Sequence, residues 1–365
     1  MKKQRIVIAS VLKPLNDTRM YEKMGATLAR ENRYDVFIIG YPVKSIPAHS
    51  NIHFMPLKAF PRMSWERVMA PLSVLAKCIK VKPDILLVNT HELLTVAILY
   101  RILFGSKIIY DVRENYYRNI LYTKVYAPGV RQVLAVLVRF QEIALSPLFN
   151  HFILAEKSYQ QELGFLKDRF TLLENKSLPQ GVKPLPSYQT GIDLLFSGTI
   201  DISTGIFEAI ALAKALYRAS PDVRLRVVGY CALKNMRKKI QDECRDCDFI
   251  SLIGFDHLVP HERIMEEIRT AHFGIIHYPG SPHTQHLKPT KLYEYMACQL
   301  PILTWADQHF AEDVVGRKAG LVVTSSAGLL LDKMKTTRFY PGPLEDIFWE
   351  DKKFLHLMQT LAGKQ

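Results

Sequence analysis

Lys288-Pro-Thr-Lys-Leu-Tyr-Glu-Tyr-Met-Ala297, followed by Cys298-Gln-Leu-Pro-Ile302, is the most informative stretch of this sequence. It predicts a loop that enters a helix near Thr290 and is followed at once by a strand. The free N–H groups and the positive dipole end of such a helix favour anions. Thr290 can cap that end. Lys291 places a cation in the first turn, where acids are usual, which indicates a bound anion.

Glu294 lies three residues after Lys291 on the same predicted helix. Its carboxylate can accept two hydrogen bonds from the hydroxyls of a ribose. An ordinary surface pair of lysine and glutamate explains this spacing equally well. The spacing alone therefore leaves both interpretations open.

Short apolar runs alternate with helical patterns on both sides of this stretch. The predicted strands are 5–11, 36–40, 52–55, 84–88, 107–111, 151–155, 192–197, 224–228, 249–253, 273–277 and 301–304. The predicted helices are 19–31, 65–80, 93–104, 130–148, 205–219, 233–246, 261–270, 290–298 and 346–361. The 65–80 helix is amphipathic through Trp65, Val68, Met69, Leu72, Leu75, Ala76 and Ile79. The alternation predicts an α/β protein with parallel sheets covered on both faces.

The alternation is interrupted between residues 175 and 191, where prolines and glycines occur without periodicity. We expect a Rossmann-like domain at 1–178, a linker at 179–191, a second Rossmann-like domain at 192–343 and a terminal helix at 344–365. Two tandem doubly wound domains are expected to face a central cleft at the carboxyl ends of their strands.

The charge of the chain is unevenly distributed. The 365 residues carry a net charge of +13. Residues 1–180 carry +12 of this and residues 181–365 carry +1. Together with the aromatic residues interleaved with cations at 65–82 and 116–139, the excess predicts contact with an anionic membrane surface. No nucleic-acid module is recognisable, so nucleic acid is not expected as a partner.

Several classes of protein are disfavoured by the sequence. No G-x-G-x-x-G follows the first strand and no P-loop occurs, which argues against nicotinamide, flavin and P-loop enzymes. The five cysteines are scattered, no secretory signal is evident and no apolar stretch is long enough to span a bilayer. We therefore expect a cytoplasmic protein that can contact the inner membrane face. Neither Cys244-x-x-Cys247 nor Asp246-x-Asp248 has the partners of a metal site, and no metal is predicted.

The chain resembles the retaining glycosyltransferases of "group 1", also called family 4, which have the GT-B fold. The 288–302 stretch is similar to their nucleotide-sugar signature, and weaker motifs follow in the family's order. These motifs are Asn16-Asp-Thr-Arg-Met20, Tyr110-Asp-Val-Arg-Glu114, Leu154-Ala-Glu-Lys-Ser158, Leu172-Leu-Glu-Asn175, Phe196-Ser-Gly-Thr199 with Gly205, Val227-Val-Gly229 and Ile253-Gly254.

The resemblance implies a metal-independent transfer, with retention, from a nucleotide-diphospho-sugar to an acceptor hydroxyl in polysaccharide biosynthesis. The donor binds the second domain as a substrate, with UDP-sugar preferred over GDP-sugar, and no cofactor is needed. A saccharide or a lipid-linked acceptor binds the first domain, to which the terminal helix returns. Glu294 would hold the ribose. The other implied donor-binding residues are Gly198, Thr199, Gly229, His286, Pro289, Thr290 and Lys291.

The implied catalytic residues are Arg113, His91 and Glu114. Arg113 stands where the family often has a histidine and either contacts the diphosphate or forms an ion pair with Asp111 or Glu114. His91 follows a strand, where a ligand role and a structural role both remain open.

The chain also departs from the family pattern. His286 replaces a common glutamate, and the usual Arg and Lys between Gly198 and Gly205 are missing. Lys288, Lys291 or Lys234 could replace these cations. A non-catalytic nucleotide-sugar-binding subunit is therefore the alternative function, and a nucleotide-sugar epimerase of the same fold is a third.

Overall fold

The structure, a computed structural model, describes residues 3–44, 49–61, 64–122, 126–181, 191–282, 284 and 286–363. The chain divides into two compact units. Unit 1 comprises Met1–Asn175 and Trp349–Gln365, and unit 2 comprises Lys176–Phe348. Residues 182–190 of the expected linker lie outside the described residues.

Unit 1 contains a seven-stranded parallel sheet in the order β3-β2-β1-β4-β5-β6-β7. The interior strand β1 (Gln4–Pro14) carries the fully buried run Ile6-Val7-Ile8-Ala9, as expected of a strand covered on both faces. The strands are β1 (Gln4–Pro14), β2 (Tyr34–Tyr41), β3 (Ile52–Pro56), β4 (Ile85–Val88), β5 (Lys107–Val112), β6 (His151–Leu154) and β7 (Phe170–Leu172).

The helices of unit 1 cover both faces of this sheet. A π-helical segment, Thr18–Gly25, continues into α1 (Ala26–Ala29). The others are α2 (Trp65–Val81), α3 (Leu94–Phe104), α4 (Tyr116–Tyr122), α5 (Val130–Leu145), α6 (Tyr159–Glu162) and the terminal α13 (Asp351–Ala362). Short 3-10 turns lie at His91–Leu93, Ser146–Leu148 and Gly164–Leu166.

Unit 2 contains a six-stranded parallel sheet in the order β10-β9-β8-β11-β12-β13. Its strands are β8 (Ile192–Thr199), β9 (Val223–Tyr230), β10 (Ile250–Phe255), β11 (Phe273–Ile275), β12 (Ile302–Thr304) and β13 (Gly320–Val322). Its helices are α7 (Ile206–Ala219), α8 (Lys234–Glu243), α9 (His261–Thr270), α10 (Thr290–Ala297), α11 (Ala311–Gly316) and α12 (Ala327–Thr336), with a 3-10 turn at Ile202–Thr204. The predicted α/β class with two doubly wound parallel sheets is confirmed.

The terminal helix begins later than the sequence predicts. The prediction starts it near residue 346, whereas α13 begins at Asp351. Ile347 is buried in the core of unit 2, and its carbonyl accepts a hydrogen bond from the Ser177 N–H at 3.0 Å. This pairing keeps the chain extended, so the helix forms only after it.

The orientation of α2 also differs from expectation. An amphipathic helix usually turns its apolar stripe toward the core. In α2 the predicted stripe faces solvent, with Trp65 74% and Leu72 51% exposed. The buried face is instead formed by Ala70, Pro71, Val74, Cys78 and Val81.

Candidate functional site

Three glycines lie side by side at the carboxyl edge of the sheet in unit 2. Gly198 on β8 is in register with Gly229 on β9, which is in register with Gly254 on β10. A Cβ on Gly229 would lie 1.7 Å from the Gly198 carbonyl oxygen, and all three residues have positive φ. Only glycine fits such a row, and it leaves bare backbone that a ligand can approach closely. The sequence predicts the strand ends singly but not the row.

Lys291 lies directly above this edge. A Cβ on Gly198 would be 3.9 Å from the Lys291 Cε atom. The ammonium lies 4.4 Å from the centre of the Phe196 ring and 5.6 Å from that of Tyr278. It is buried and has no hydrogen-bond partner among the described residues. Burial lowers the pKa of Lys291 to about 8, although Glu294 opposes this shift. The Lys291 ammonium is thus a buried positive charge without a hydrogen-bond partner among the described residues, and a bound anion would stabilise it.

The helix that carries Lys291 begins as predicted, but its cap differs. Pro289 is the N-cap of α10, without a side-chain hydrogen bond to the helix. Thr290 is therefore the first helical residue, and the expectation that it caps the helix is wrong. The Pro289 side chain has no hydrogen-bond acceptor, so it cannot bind the free N–H groups of the first turn as a serine or threonine cap would. Those amides remain oriented toward the start of the helix.

Glu294 lies one turn after Lys291 and is held by a neighbouring helix. Its Oε1 atom accepts a hydrogen bond from the Nε2 atom of His261, at the start of α9, over 3.0 Å. The Glu294 residue is only 8% exposed. This bond requires a proton on His261 Nε2 and fixes the direction of the carboxylate. The sequence predicts Glu294 but gives no sign of His261, which lies 33 positions away.

The loop after β8 contains an acid where the family usually has cations. Asp201 accepts a hydrogen bond from the Ser203 N–H and caps the 3-10 turn. Ile200 is buried in the core and Thr199 is exposed. A Cβ on Gly205 would meet the His277 carbonyl oxygen at 2.5 Å, so the loop packs against the end of β11. The loop itself supplies no cation for a diphosphate.

The two described histidines before α10, His277 and His286, contact different aromatic rings. His277 is buried, its ring lies 4.6 Å from that of Trp305, and burial lowers its pKa. His286 is exposed and contacts the ring of His309 edge-on at 5.4 Å. His283 lies outside the described residues. Among the described residues, no group of three His, Cys, Asp or Glu is arranged to hold a metal.

A basic cavity of about 590 Å³ lies at the end of β10, beyond Gly254. Its lining includes Lys234, Arg237 and Lys238 of α8 and, at the end of β10, Phe255 and Asp256. These cations follow β9 directly, so the fold places them at the carboxyl edge of the sheet. The sequence indicates Lys234 as a possible cation for the diphosphate but gives no sign of this cavity.

In unit 1, two predicted motifs meet through crossed ion pairs. Arg113 donates to both carboxylate oxygens of Asp17, at 2.8 and 3.1 Å. Arg19 does the same to Asp111, at 2.7 to 3.1 Å, and both of these side chains are fully buried. The two hypotheses that paired Arg113 with Asp111 or Glu114 are therefore wrong. Asp111 is paired with Arg19 instead, because the charge of a fully buried arginine needs a carboxylate partner.

The Asp17 carboxylate serves two purposes. It accepts hydrogen bonds from the N–H groups of Arg19 and Met20 and so caps the first helical segment. Burial alone would raise its pKa, but Arg113 and Lys13 overcome this and lower it to about 2. Asp17 is therefore ionised at any physiological pH and fixes the Arg113 side chain.

His91 and Glu114 lie at the same edge of the sheet as Arg113, after β4 and β5. Burial lowers the pKa of His91, whose ring packs 4.6 Å from that of Tyr116. Lys13 lies 3.2 Å from Glu114 and, together with Arg113, keeps the Glu114 pKa below its usual value. A neutral imidazole and an ionised carboxylate are thus available in unit 1.

Comparison with known proteins supports the resemblance. Residues 182–336 match the family "Glycosyl transferases group 1". Sucrose-phosphate synthase from Thermosynechococcus elongatus has a TM-score of 0.71 at 15% identity, covering 99% of this chain and 98% of that one. Anabaena Alr3699/HepE, solved with UDP and glucose, has a TM-score of 0.64 at 14% identity, covering 99% and 100%. No curated protein matches the sequence. The predicted resemblance to group 1 glycosyltransferases and the predicted GT-B fold are confirmed.

Proposed function

We propose that this chain transfers a sugar from a nucleotide-diphospho-sugar to an acceptor hydroxyl, with retention of anomeric configuration and without a metal. The observation that carries the proposal is the buried Lys291 ammonium above the glycine row of unit 2. The group 1 match and the glycosyltransferase neighbours support the same reaction class.

In this proposal the donor diphosphate lies between the first turn of α10 and Gly198. The bare backbone of the row allows phosphate oxygens to approach, and the α10 amides and Lys291 supply positive charge. The β and α phosphates gain negative charge as the bond to the sugar breaks. A cation fixed in a low-dielectric site stabilises that charge more than one in water does. This charge is what a metal supplies in other transferases, so the residues fit a metal-independent reaction.

Glu294 is proposed to accept hydrogen bonds from the ribose hydroxyls. His261 holds the carboxylate in one orientation, which lowers the entropy lost when the ribose binds. We propose UDP-sugar ahead of GDP-sugar as the donor, since the Anabaena neighbour was solved with UDP and glucose.

We propose that unit 1 binds the acceptor, a saccharide or a lipid-linked saccharide, in the cytoplasm. Arg113, His91 and Glu114 lie together after β4 and β5, where ligands of open α/β sheets bind. The neutral His91 can accept a hydrogen bond from a hydroxyl, and the ionised Glu114 can accept another. The two hydrogen bonds to Asp17 fix the Arg113 side chain in one position. Arg113 is therefore proposed to keep the residues at this edge of the sheet in place rather than to move during the reaction.

The deciding experiment separates transfer from binding alone. Purified chain is titrated with UDP- and GDP-sugars by calorimetry and then incubated with saccharide and lipid-linked acceptors. Transfer is expected, with the product anomer identified by NMR. Binding without turnover on any acceptor would favour the non-catalytic subunit, which the cation-poor loop after β8 motivates. Release of free nucleotide without acceptor would favour an epimerase.

Matched variants tie the result to the site. Glu294→Gln keeps the shape of the side chain and removes its charge, so donor affinity should fall. Lys214→Met serves as the control, since Lys214 lies 2.5 Å from Glu243 and has its own partner. Equal losses in both variants would contradict the assigned role of Glu294.

A further inference from the structure

Unit 1 exposes an apolar surface that its fold does not use. Fifteen of the 22 large hydrophobic side chains that are exposed among the described residues lie on α2, α3 and α5. Each is between 43% and 74% exposed. They are Trp65, Val68, Met69, Leu72 and Ile79 on α2, Leu99, Ile102, Leu103 and Phe104 on α3, and Val130, Val133, Val136, Leu137, Phe140 and Ile143 on α5. We call this set the apolar face.

The apolar face is continuous across the three helices. Right-handed connections from β3 to β4, β4 to β5 and β5 to β6 place α2, α3 and α5 on the same side of the sheet. α3 packs beside both α2 and α5. Gln141 on α5 donates to the Thr95 hydroxyl on α3 at 2.8 Å, and Arg101 on α3 donates to the Leu148 carbonyl after α5. Monomeric soluble proteins rarely expose so many adjacent apolar groups without a binding role.

The exposed residues recur at helical spacing, so each helix has two apolar sides. In α2, Trp65, Met69, Leu72 and Ile79 share the outer side, opposite the buried Val74. A helix apolar on both sides is not needed to cover a sheet, since one side suffices. The outer side is thus available to a second apolar environment.

The charges around this face identify that environment. The three helices contain six basic residues and two acidic ones. Arg67 and Arg139 are paired with Glu92 and Glu142. The other four cations of these helices, Lys77, Lys80, Arg101 and Arg131, exceed the one other acid, Glu66. A symmetric pair of chains packed through this face would bring its cations against one another. An anionic bilayer meets both properties, because lipid tails accept the apolar groups and headgroups attract the cations.

We propose that the apolar face docks unit 1 onto an anionic lipid surface, with the outer sides of α2, α3 and α5 inserted among the headgroups and upper acyl chains. No described helix is long and apolar enough to cross a membrane, so contact is with one leaflet. Trp65 lies at the start of α2, and its large amphipathic ring suits the headgroup level. Lys77 and Lys80, near the end of α2, would contact lipid phosphates.

Vesicle flotation tests the proposal with the full chain and no donor or acceptor. The chain should float with phosphatidylcholine vesicles that contain phosphatidylglycerol and bind several-fold less to phosphatidylcholine alone. A variant with Leu72→Asp, Ile102→Asp and Phe140→Asp should lose at least tenfold in partitioning. The control is Leu258→Asp in unit 2, since Leu258 is 70% exposed, like Ile102 at 71%.

The remaining outcomes are also decisive. Lys77→Glu with Lys80→Glu should reduce binding to anionic vesicles by roughly fivefold per residue and leave binding to neutral vesicles unchanged. Unchanged flotation of the triple variant, with its circular dichroism intact, would overturn the proposal. So would a chain that floats with neither vesicle and forms a stable dimer by light scattering. The readout is lipid binding, so a failed proposal for sugar transfer would leave this result unaffected.

Discussion

Replacing Lys291 by methionine should stabilise the free protein. Burial lowers the pKa of Lys291 from 10.5 to about 8, against the opposing effect of Glu294. At 1.36 kcal/mol per pKa unit, the buried ammonium costs about 3 kcal/mol. Methionine keeps the apolar stem but loses the cation–π contact with Phe196, worth about 1 kcal/mol. We therefore expect the free energy of unfolding to rise by about 1–3 kcal/mol at pH 7.

The pH dependence distinguishes charge from packing. Below pH 8 the folded and unfolded states both hold the Lys291 proton, and the cost is fully present. Between pH 8 and 10.5 the unfolded state binds more protons, so the stability of the wild type rises with pH through this group. The gap between Lys291→Met and wild type should therefore be widest at pH 7 and close near pH 10.5.

Urea unfolding at pH 7, 9 and 10 measures this gap, with the two units fitted separately because a two-unit chain need not unfold in one step. Donor affinity should fall at least tenfold in Lys291→Met. Lys214→Met should change neither quantity much, since its ion pair with Glu243 is partly exposed. A variant less stable than wild type at pH 7, or a gap that does not vary with pH, would refute the reasoning.

Three further predictions test other parts of the chain. Glu294→Gln should weaken binding of UDP but leave binding of pyrophosphate unchanged, as calorimetry can measure, since the carboxylate is assigned to the ribose. Gly229→Ala should destabilise unit 2 by about 3 kcal/mol or more because its Cβ would overlap a neighbouring carbonyl, whereas Gly280→Ala, with nothing within 4 Å, should not; thermal unfolding compares them. Asp17→Asn should remove about 2 kcal/mol at pH 7, because Arg113 loses its partner and the pKa of Asp17 is about 2 rather than 3.8. That stability is lost in the wild type as the pH falls from 4 to 2, and acid titration of the variant should lack this step.

The sequence predicts strands β1 to β6 and β8 to β12 but misses β7 and β13, each of which lies at one edge of its sheet. Strands with four or more consecutive buried residues, such as β1 and β4, are found because periodicity needs several residues to register. β7 and β13 have three residues each and carry no such pattern. They form because a neighbouring strand offers an unpaired edge, which is a tertiary effect.

Spacing along a helix reveals which residues share a side but not what that side faces. The stripe containing Trp65 and Leu72 is correctly predicted as apolar, and only the structure shows that it points away from the core. The buried side of α2 includes small residues such as Ala70 and Cys78, which are less strongly apolar than the exposed Trp65 and Leu72. Because α2 has more apolar residues than its buried side can hold, some of them remain exposed to solvent.

The candidate site shows the same division between local and distant information. The spacing of Lys291 and Glu294 within one helix leaves two interpretations open, and the resemblance to group 1 glycosyltransferases favours the ligand-binding one. The crossed pairs of Asp17 with Arg113 and Arg19 with Asp111 join residues 96 and 92 positions apart. Each motif contains an acid and a base two residues apart, so the sequence suggests local pairing. Local pairing does not occur, because the fully buried Arg19 needs a buried carboxylate as its partner and Asp111 provides it.

Net charge is a poor guide to where the donor diphosphate would bind. Unit 1 carries nearly all of the excess, yet Arg19 and Arg113 are each paired with a carboxylate and contribute nothing to it. The excess therefore lies at the surface, where water and salt screen each charge within about 10 Å. Unit 2 is nearly neutral, but among its described residues the buried Lys291 ammonium lies at the carboxyl edge of the sheet without a hydrogen-bond partner. At short range and in low dielectric, that single charge exceeds the effect of many exposed ones. The donor site proposed in unit 2 and the broad basic surface of unit 1 are thus suited to different anions, one compact and one extended.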